Sequence, residues 1–389
     1  MERVYDEALS ITMISNAMSH HQLPFCEFMS KEKGIKFHYI ATKPLSKERL
    51  DMGYEDLNYS GNYIVRFYEG EESKRVAIEL INDSDFVIWG SAPYSLIRRR
   101  IIEKKWVLVY SERIFKFGLK DKKLWKKILY YFGCFGLVSH KRLGILCASA
   151  YAAQDFKIFR FKDTQMYKWG YFPPDTTKCI DELMSKKREN SIVWVGRMLS
   201  WKHPELAILL AEQLKKYRIP FQLTMVGDGE LFQEIIAMVK EKELSEYITL
   251  TGSLHKDEVR RIMESSEILI ATSDYAEGWG AVINEGMNSA CAVVASHAMG
   301  ATPFLIKNNS NGLIYESENI EELYDKTSNL LVNNEKKVNI QKNAFETIRN
   351  EWNGRNAGRK LVYLCKQLKA GNNDFSYSDG ICSIAKIDI

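Results

Sequence analysis

From residue 191 to residue 349, short apolar runs alternate with helical segments, and few folds accept that order. Residues 192–196, 221–226, 247–251, 267–272 and 291–295 read as strands, with 313–315 a short one. Between and after them, 204–217, 230–242, 256–265, 281–289, 320–331 and 335–349 carry helical spacing, and Pro204 suits a first helical turn. Strands and helices alternating at this interval make βαβ units, hence a parallel sheet covered on both faces. Right-handed crossovers then bring every strand's carboxyl end to one edge of the sheet.

The first half repeats the pattern less regularly, with strand candidates at 11–14, 36–40, 63–67, 86–89 and 106–109. A length of 389 residues suggests more than one domain. The stretch Gly170-Tyr-Phe-Pro-Pro-Asp-Thr-Thr holds two prolines that forbid a helix, so the domains divide near residue 175. The expected organisation is an N-terminal domain 1–174, a C-terminal domain 175–352, a late helix 353–370, and a tail 371–389. The tail is rich in Gly, Asn, Asp and Ser and is expected to be mobile. Two α/β domains on one chain should enclose a cleft, where a ligand is expected.

Net charge is +4, which gives no overall bias toward polyanions. The seven scattered cysteines form no C-x-x-C pair, so neither a zinc ribbon nor a redox motif is suggested, and reduced thiols in the cytosol fit. The opening Met1-Glu-Arg-Val-Tyr-Asp lacks the apolar stretch of a signal peptide. No apolar run reaches the ~18 residues of a membrane span, and the longest candidate, 128–139, is ended by His140-Lys141-Arg142.

The chemistry concentrates after residue 191. Glu277 and Glu285 lie eight positions apart in Ser273-Asp-Tyr-Ala-Glu277-Gly-Trp-Gly280-Ala-Val-Ile-Asn-Glu285. Alone, that spacing also fits two solvated acids. An apolar strand precedes it, however, so the loop falls at the carboxyl edge of the sheet, where open α/β folds bind ligands. Gly278 and Gly280 allow close backbone approach, and the helix starting near Ala281 aims free amides at the same place. Arg197 and Lys202 follow the strand 192–196 at that edge. An arginine fork, a movable lysine, two carboxylates and a helix N-terminus suit a diphosphate with hydroxyl groups on either side. A nucleotide sugar is such a molecule.

Val195-Gly-Arg197 with Lys202, Val226-Gly-Asp-Gly229, Thr251-Gly-Ser253 before a short helix, and Glu277 to Glu285 together resemble the retaining glycosyltransferases of family 4. The resemblance runs over 191–296 and more loosely over 300–331. It implies the GT-B fold, an α/β architecture of two Rossmann-like domains facing each other across a cleft, with the C-terminal helix crossing back to the first domain. It implies a UDP- or GDP-sugar as co-substrate and no obligatory cofactor; apart from Asp83-Ser-Asp85, no His/Asp/Glu cluster with metal spacing stands out, so no obligatory metal is expected. By it, Arg197 and Lys202 would hold the donor diphosphate, Glu277 hydroxyls of the transferred sugar, and Glu285 the ribose. The loop Leu254-His255-Lys256 would lie near the base, and Gly196, Gly227, Gly278, Trp279 and Gly280 would complete the donor site.

The first domain departs from the family pattern. Many members carry a Gly-Gly pair after the first strand, packed against the donor phosphates; here the loop is Ser15-Asn-Ala-Met-Ser-His20-His21-Gln-Leu-Pro24. The paired histidines, and Tyr110-Ser-Glu112-Arg113, resemble the bacterial surface-polysaccharide subgroup. They place His20, His21, Glu112 and Arg113 on the acceptor side, with His21 beside Glu277, Arg197 and Lys202 among the catalytic candidates. In an extended segment adjacent residues point opposite ways, so at most one histidine would reach a substrate. A loop histidine that bonds locally, and a Glu112–Arg113 ion pair closing a loop, are the plainer alternatives.

Asp83-Ser-Asp85 has the form of a metal-binding D-x-D but precedes the strand 86–89, so it belongs in a turn at the far edge. From Arg98 to Arg142 there are 14 Lys/Arg against three acids. Within that stretch, Lys120-Asp-Lys122-Lys123-Leu-Trp125-Lys126-Lys127 and the residues after it form a basic amphipathic surface. It suits an anionic membrane face through Lys122, Lys123, Lys126 and Lys127, rather than nucleic acid, for which no module is present. The combined expectation is a cytoplasmic, peripherally membrane-bound transferase acting on a lipid-linked or oligosaccharide acceptor in cell-surface glycan synthesis. The alternatives are a GT-B nucleotide-sugar epimerase and a non-catalytic donor-binding partner subunit.

Overall fold

The computed structural model of the chain describes residues 8–51, 55–118, 121–138, 141–174 and 176–386; the N-terminal hexapeptide, Lys120 and His140 read above lie outside these. The chain forms two compact units, Met1–Pro174 together with Trp352–Ile389, and Asp175–Glu351.

The first unit is built on a seven-stranded parallel sheet. Its strands are β1 (Leu9–Ser15), β2 (Ile35–Ala41), β3 (Ile64–Arg66), β4 (Phe86–Trp89), β5 (Trp106–Ser111), β6 (Leu143–Cys147) and β7 (Met166–Lys168). Their spatial order is β3-β2-β1-β4-β5-β6-β7. Chain order reverses between β1 and β4, which pair from Ile11↔Phe86 to Ile14↔Trp89, so this is the switch point where an open sheet leaves a crevice. The strands β6 and β7 add to the five expected. At the opposite edge Arg100 is fully buried and donates to the carbonyls of Ile81, Asn82, Ser84, Asp85 and Trp106. Asp85 accepts from Ser10 and pairs with Lys369 at 2.6 Å, so the D-x-D sequence is a structural turn at the amino edge.

The second unit carries a six-stranded parallel sheet, β8 (Arg188–Val195), β9 (Gln222–Val226), β10 (Ile248–Leu250), β11 (Ser266–Ala271), β12 (Ala292–Ser296) and β13 (Leu313–Tyr315). The order is β10-β9-β8-β11-β12-β13, with its switch point between β8 and β11. Apolar faces of the helices Pro204–Lys216 and Phe232–Glu241 close its core, through Leu206, Leu210, Leu214, Ile235 and Val239.

After Glu351 the chain rejoins the first unit. The helix Gly354–Lys369 lies on the helix Leu23–Lys31 so closely that a Cβ on Gly354 would sit 2.5 Å from the Phe25 nitrogen, and one on Gly358 would overlap Phe28. Four residues apart, these glycines share one helical face and let the two backbones approach. The tail corrects the sequence expectation of a mobile segment. Ile381, Cys382, Ser383 and Ala385 are buried, and Tyr167 and Ile384 form an antiparallel bridge at the free edge of β7. Lys168 donates to Ser383, Cys382 to Lys168 and Ala385 to Met166, at 2.7–2.9 Å between backbone atoms. These bonds satisfy groups that a sheet edge leaves unpaired.

Candidate functional site

In the second unit, β8 and β11 end side by side at the switch point, and their loops bring the expected residues together. The Gly227 amide bonds to Gly252, and Met198 donates to the Asp228 carbonyl at 2.9 Å, which lays the loop 227–229 against the loop after β8. Gly227 has φ +129°, and a Cβ there would overlap the Gly196 carbonyl oxygen, so only glycine fits. Arg197 projects from this platform, exposed and without an ion-pair partner among the described residues.

Lys202 is held from both sides. The Thr272 hydroxyl, which receives the Trp194 indole N–H at 2.8 Å, donates to the Lys202 carbonyl at 2.6 Å. The Lys202 ammonium forms an ion pair with the Glu277 carboxylate, both side chains being largely buried. Gly280, in the left-handed region at φ +90°, turns the chain into the helix Ala281–Asn288. That N-terminus leaves its first amides without intrahelical partners. Glu285 sits on the second turn; burial pushes its carboxyl up, while Arg260 and Lys202 pull it partly back. Leu254 is half-buried in the loop before helix Lys256–Ser265, whose N-cap is His255.

One of these assignments changes. The Trp279 side chain is fully buried, packs near Phe304 and donates its indole N–H to Asn284 at 2.7 Å. It anchors the loop, and only its backbone is left for a ligand. Sequence reading also passed over His203 and Arg260. His203 adopts the left-handed conformation at φ 47°, with Nδ1 2.7 Å from Glu205 and Nε2 3.5 Å from Asp274, an ionic rather than a hydrogen-bonding distance. Asp274 first and Glu205 next hold its proton, and its pKa is pushed up to about 10. Asp274 in turn accepts from Ala276 through its side chain and from Glu277 through its carbonyl, so His203 steadies the loop that carries Glu277. Arg260 has a buried Nη1 with no hydrogen-bond partner among the described residues. Neither residue belongs to a recognisable motif; a His-Pro step at a helix start was the available signal for His203.

In the first unit, His20 and His21 lie in a turn rather than an extended run, and their rings touch, with centroids 3.7 Å apart. The rule that only one could face a substrate therefore does not apply. His21 also stacks on Tyr171 at 5.3 Å, and its carbonyl accepts from Phe172. The Tyr171 hydroxyl donates to Glu112 at 2.5 Å, and Glu112 pairs with Lys116. Arg113 points instead toward buried Asp155, 3.6 Å away, whose carboxylate caps the amides of Ile114 and Phe115. Arg113 thus closes a loop and leaves the acceptor-side group. The amides of Ala17 and Met18, after β1, are taken by the side-chain oxygens of Asn16 and Asn58 at 2.8 and 2.9 Å. Neither amide is left to hold a phosphate as a Gly-Gly loop would.

Residues 175–347 match the family model described as glycosyl transferases group 1. Over 145 residues the chain is 28% identical to the poly(ribitol-phosphate) alpha-N-acetylglucosaminyltransferase of Staphylococcus aureus, covering 37% of this chain and 29% of that protein. It is 33% identical over 128 residues to an uncharacterized glycosyltransferase of Methanocaldococcus jannaschii, covering 33% of this chain and 36% of that one. A third relative is the N-acetylgalactosamine-N,N'-diacetylbacillosaminyl-diphospho-undecaprenol 4-alpha-N-acetylgalactosaminyltransferase of Campylobacter jejuni, 26% identical over 154 residues, 40% of each chain. The chain thus spans well under half the length of these relatives. Anabaena HepE, solved in complex with UDP, superposes with a TM-score of 0.68 over 92% of this chain and all of that one, at 12% identity. TarM superposes with a TM-score of 0.58 over 75% of this chain and 58% of that one, at 20% identity. With two parallel sheets of Rossmann type, these likenesses define the architecture: the chain has the GT-B fold.

Proposed function

We propose that the chain is a retaining glycosyltransferase. It moves a sugar from a UDP- or GDP-sugar to a saccharide acceptor, lipid-linked at the inner face of the cytoplasmic membrane, in bacterial surface-glycan synthesis. The observation that carries the reading is the Lys202–Glu277 ion pair at the β8/β11 switch point, beside the N-terminus of helix Ala281–Asn288. A paired cation and carboxylate there suit a diphosphate and a sugar hydroxyl placed side by side. The match over 175–347 covers this half-site, and the names of the Staphylococcus and Campylobacter relatives support a polymeric or lipid-linked acceptor.

In this mechanism Arg197, Lys202 and the helix amides take up charge on the departing diphosphate, work that needs no metal ion. Glu277 holds hydroxyls of the transferred sugar and Glu285 the ribose. The bond from the anomeric carbon to the phosphate oxygen breaks as the acceptor oxygen bonds to the same face, and the acceptor's proton passes to that phosphate oxygen. His20, His21 and Glu112 serve the acceptor. In this scheme the chain attaches to the membrane peripherally; among the described residues no helix is long and apolar enough to cross one.

The test is nucleotide diphosphate release from a panel of donors, with and without a bacterial lipid extract. Glu277→Gln should lower lipid-stimulated turnover by roughly 10²–10³-fold with the circular dichroism unchanged. Near-native turnover in that variant would remove Glu277 from the chemistry. Conversion of donor to a free epimer without acceptor would point to an epimerase instead.

A further inference from the structure

We propose that the surface around helix Leu124–Tyr131 docks on an anionic phospholipid bilayer by inserting apolar side chains, not by its lysines alone. Among the described helices of eight residues or more, this is the one in which no residue is buried, although its sequence is Leu-Trp-Lys-Lys-Ile-Leu-Tyr-Tyr. Trp125 is 75% exposed and Leu129 70%, and Leu137, beyond the following turn, reaches 83%. Trp125, Leu129 and Phe132 stand at i, i+4 and i+7, one outward stripe of the helix. A water-soluble domain rarely leaves such side chains contiguous in solvent without a partner.

The platform is firmly seated from below. Tyr131 packs on Phe135, Phe156 and Phe159, and Phe135 is fully buried against Phe161 and Trp89. The stripe therefore points outward from a rigid support. The cations of this region sort themselves in the structure. Arg100 is buried on carbonyls, Arg99 and Lys105 pair with Glu103, Arg113 with Asp155, Lys116 with Glu112, and Lys127 with Asp121 at 2.6 Å. Lys127 thus leaves the membrane-facing set read from the sequence. Lys122, Lys123 and Lys126 are exposed and their ammonium groups form no ion pair among the described residues, although Asp121 accepts from the Lys123 amide at 2.8 Å and lies near its charge. Lys126 lies one position after Trp125, so its ammonium flanks the stripe at the height of lipid headgroups while its stem covers apolar surface.

Charge decides between possible occupants. A second copy docking through this face by two-fold symmetry would set the same unpaired lysines near one another. An anionic bilayer offers headgroups to the lysines and acyl chains to Trp125, Leu129 and Leu137.

The experiment is co-sedimentation of the full chain with vesicles of phosphatidylglycerol and phosphatidylcholine, against phosphatidylcholine alone. It needs no catalytic activity, so it reads out whether or not the transferase assignment holds. The native chain should bind the anionic vesicles, and Lys122→Glu with Lys123→Glu and Lys126→Glu should weaken binding by at least about a hundredfold, since loss of each lysine's attraction alone is worth roughly fivefold. Trp125→Ser with Leu129→Ser should weaken it at least tenfold. The emission lost in Trp125→Phe should be blue-shifted on anionic vesicles. Unchanged binding in the Trp125/Leu129 variant, or Trp125 emission that stays at its solvent position, would overturn the insertion. A lipid-free dimer abolished by that same variant would reassign the face to self-association.

Discussion

Replacing His203 by Asn should remove a charge that braces the Glu277 loop while leaving the backbone path intact, since Asn tolerates the left-handed region that His203 occupies. A non-glycine residue in that conformation costs about 1–2 kcal/mol, which the two flanking carboxylates must offset. A pKa of about 10 in the folded chain, against 6.5 for an unperturbed imidazole, sets a ceiling of ~5 kcal/mol. The ring is only half shielded, and solvent screening of Glu205 and Asp274 brings the expected contribution down to about 1–2 kcal/mol. Because folding raises this pKa, the contribution is complete below pH 6.5 and fades as pH rises through about 10. Urea unfolding followed by tryptophan fluorescence should therefore show a gap of about 1–2 kcal/mol between native chain and His203→Asn at pH 7, closing above pH 10. A histidine-selective NMR titration, assigned with the variant, should find the His203 imidazole still charged at pH 8. A gap equal at both pH values, or a His203 resonance titrating near 6.5, would refute the bracing role.

Other consequences are as direct. Gly227→Ala would force a methyl group into the Gly196 carbonyl, so the second unit should lose about 1–3 kcal/mol and donor affinity should fall in calorimetry. Arg260→Met should release Glu285 to rise further in pKa and should raise donor KM about tenfold, ~1.4 kcal/mol, with a smaller change in kcat. Ending the chain after Asn373 would bare the edge of β7 and lose the burial of Ile381, Cys382 and Ala385. A stability loss of about 3–5 kcal/mol and concentration-dependent aggregation should appear in thermal unfolding and light scattering.

The second unit was largely legible because its strands are dense in branched apolar residues and its helices carry their own signals. The helix Lys256–Ser265 and the strand Leu313–Tyr315 fall where their spacing puts them. What escaped reading depends on partners far away in sequence. The three-residue β7 is a strand because β6 and the tail pair with it. The tail's polar composition describes its side chains, whereas its order comes from main-chain hydrogen bonds that composition does not encode. Arg113 looked like a site residue until Asp155, in a helix beyond β6, claimed it. Arg197, Lys202 and Glu277 were placeable because they sit in the loops that follow β8 and β11, and Glu285 because it sits on the helix Ala281–Asn288 that comes next; the ends of strands are what alternation locates well.

The return of the helix Gly354–Lys369 to the first unit has a consequence in time. The second unit is an uninterrupted segment, Asp175–Glu351, set between the two segments of the first unit. During synthesis, Phe28 and Met29 must wait for the helix Gly354–Lys369 that covers them, and β7 for its edge partner at 382–385. At ~5–20 residues per second that wait lasts roughly 10–40 s after Pro174 is made. The nascent chain thus completes its second half before its first, and the period of greatest exposure to chaperones falls on the N-terminal half.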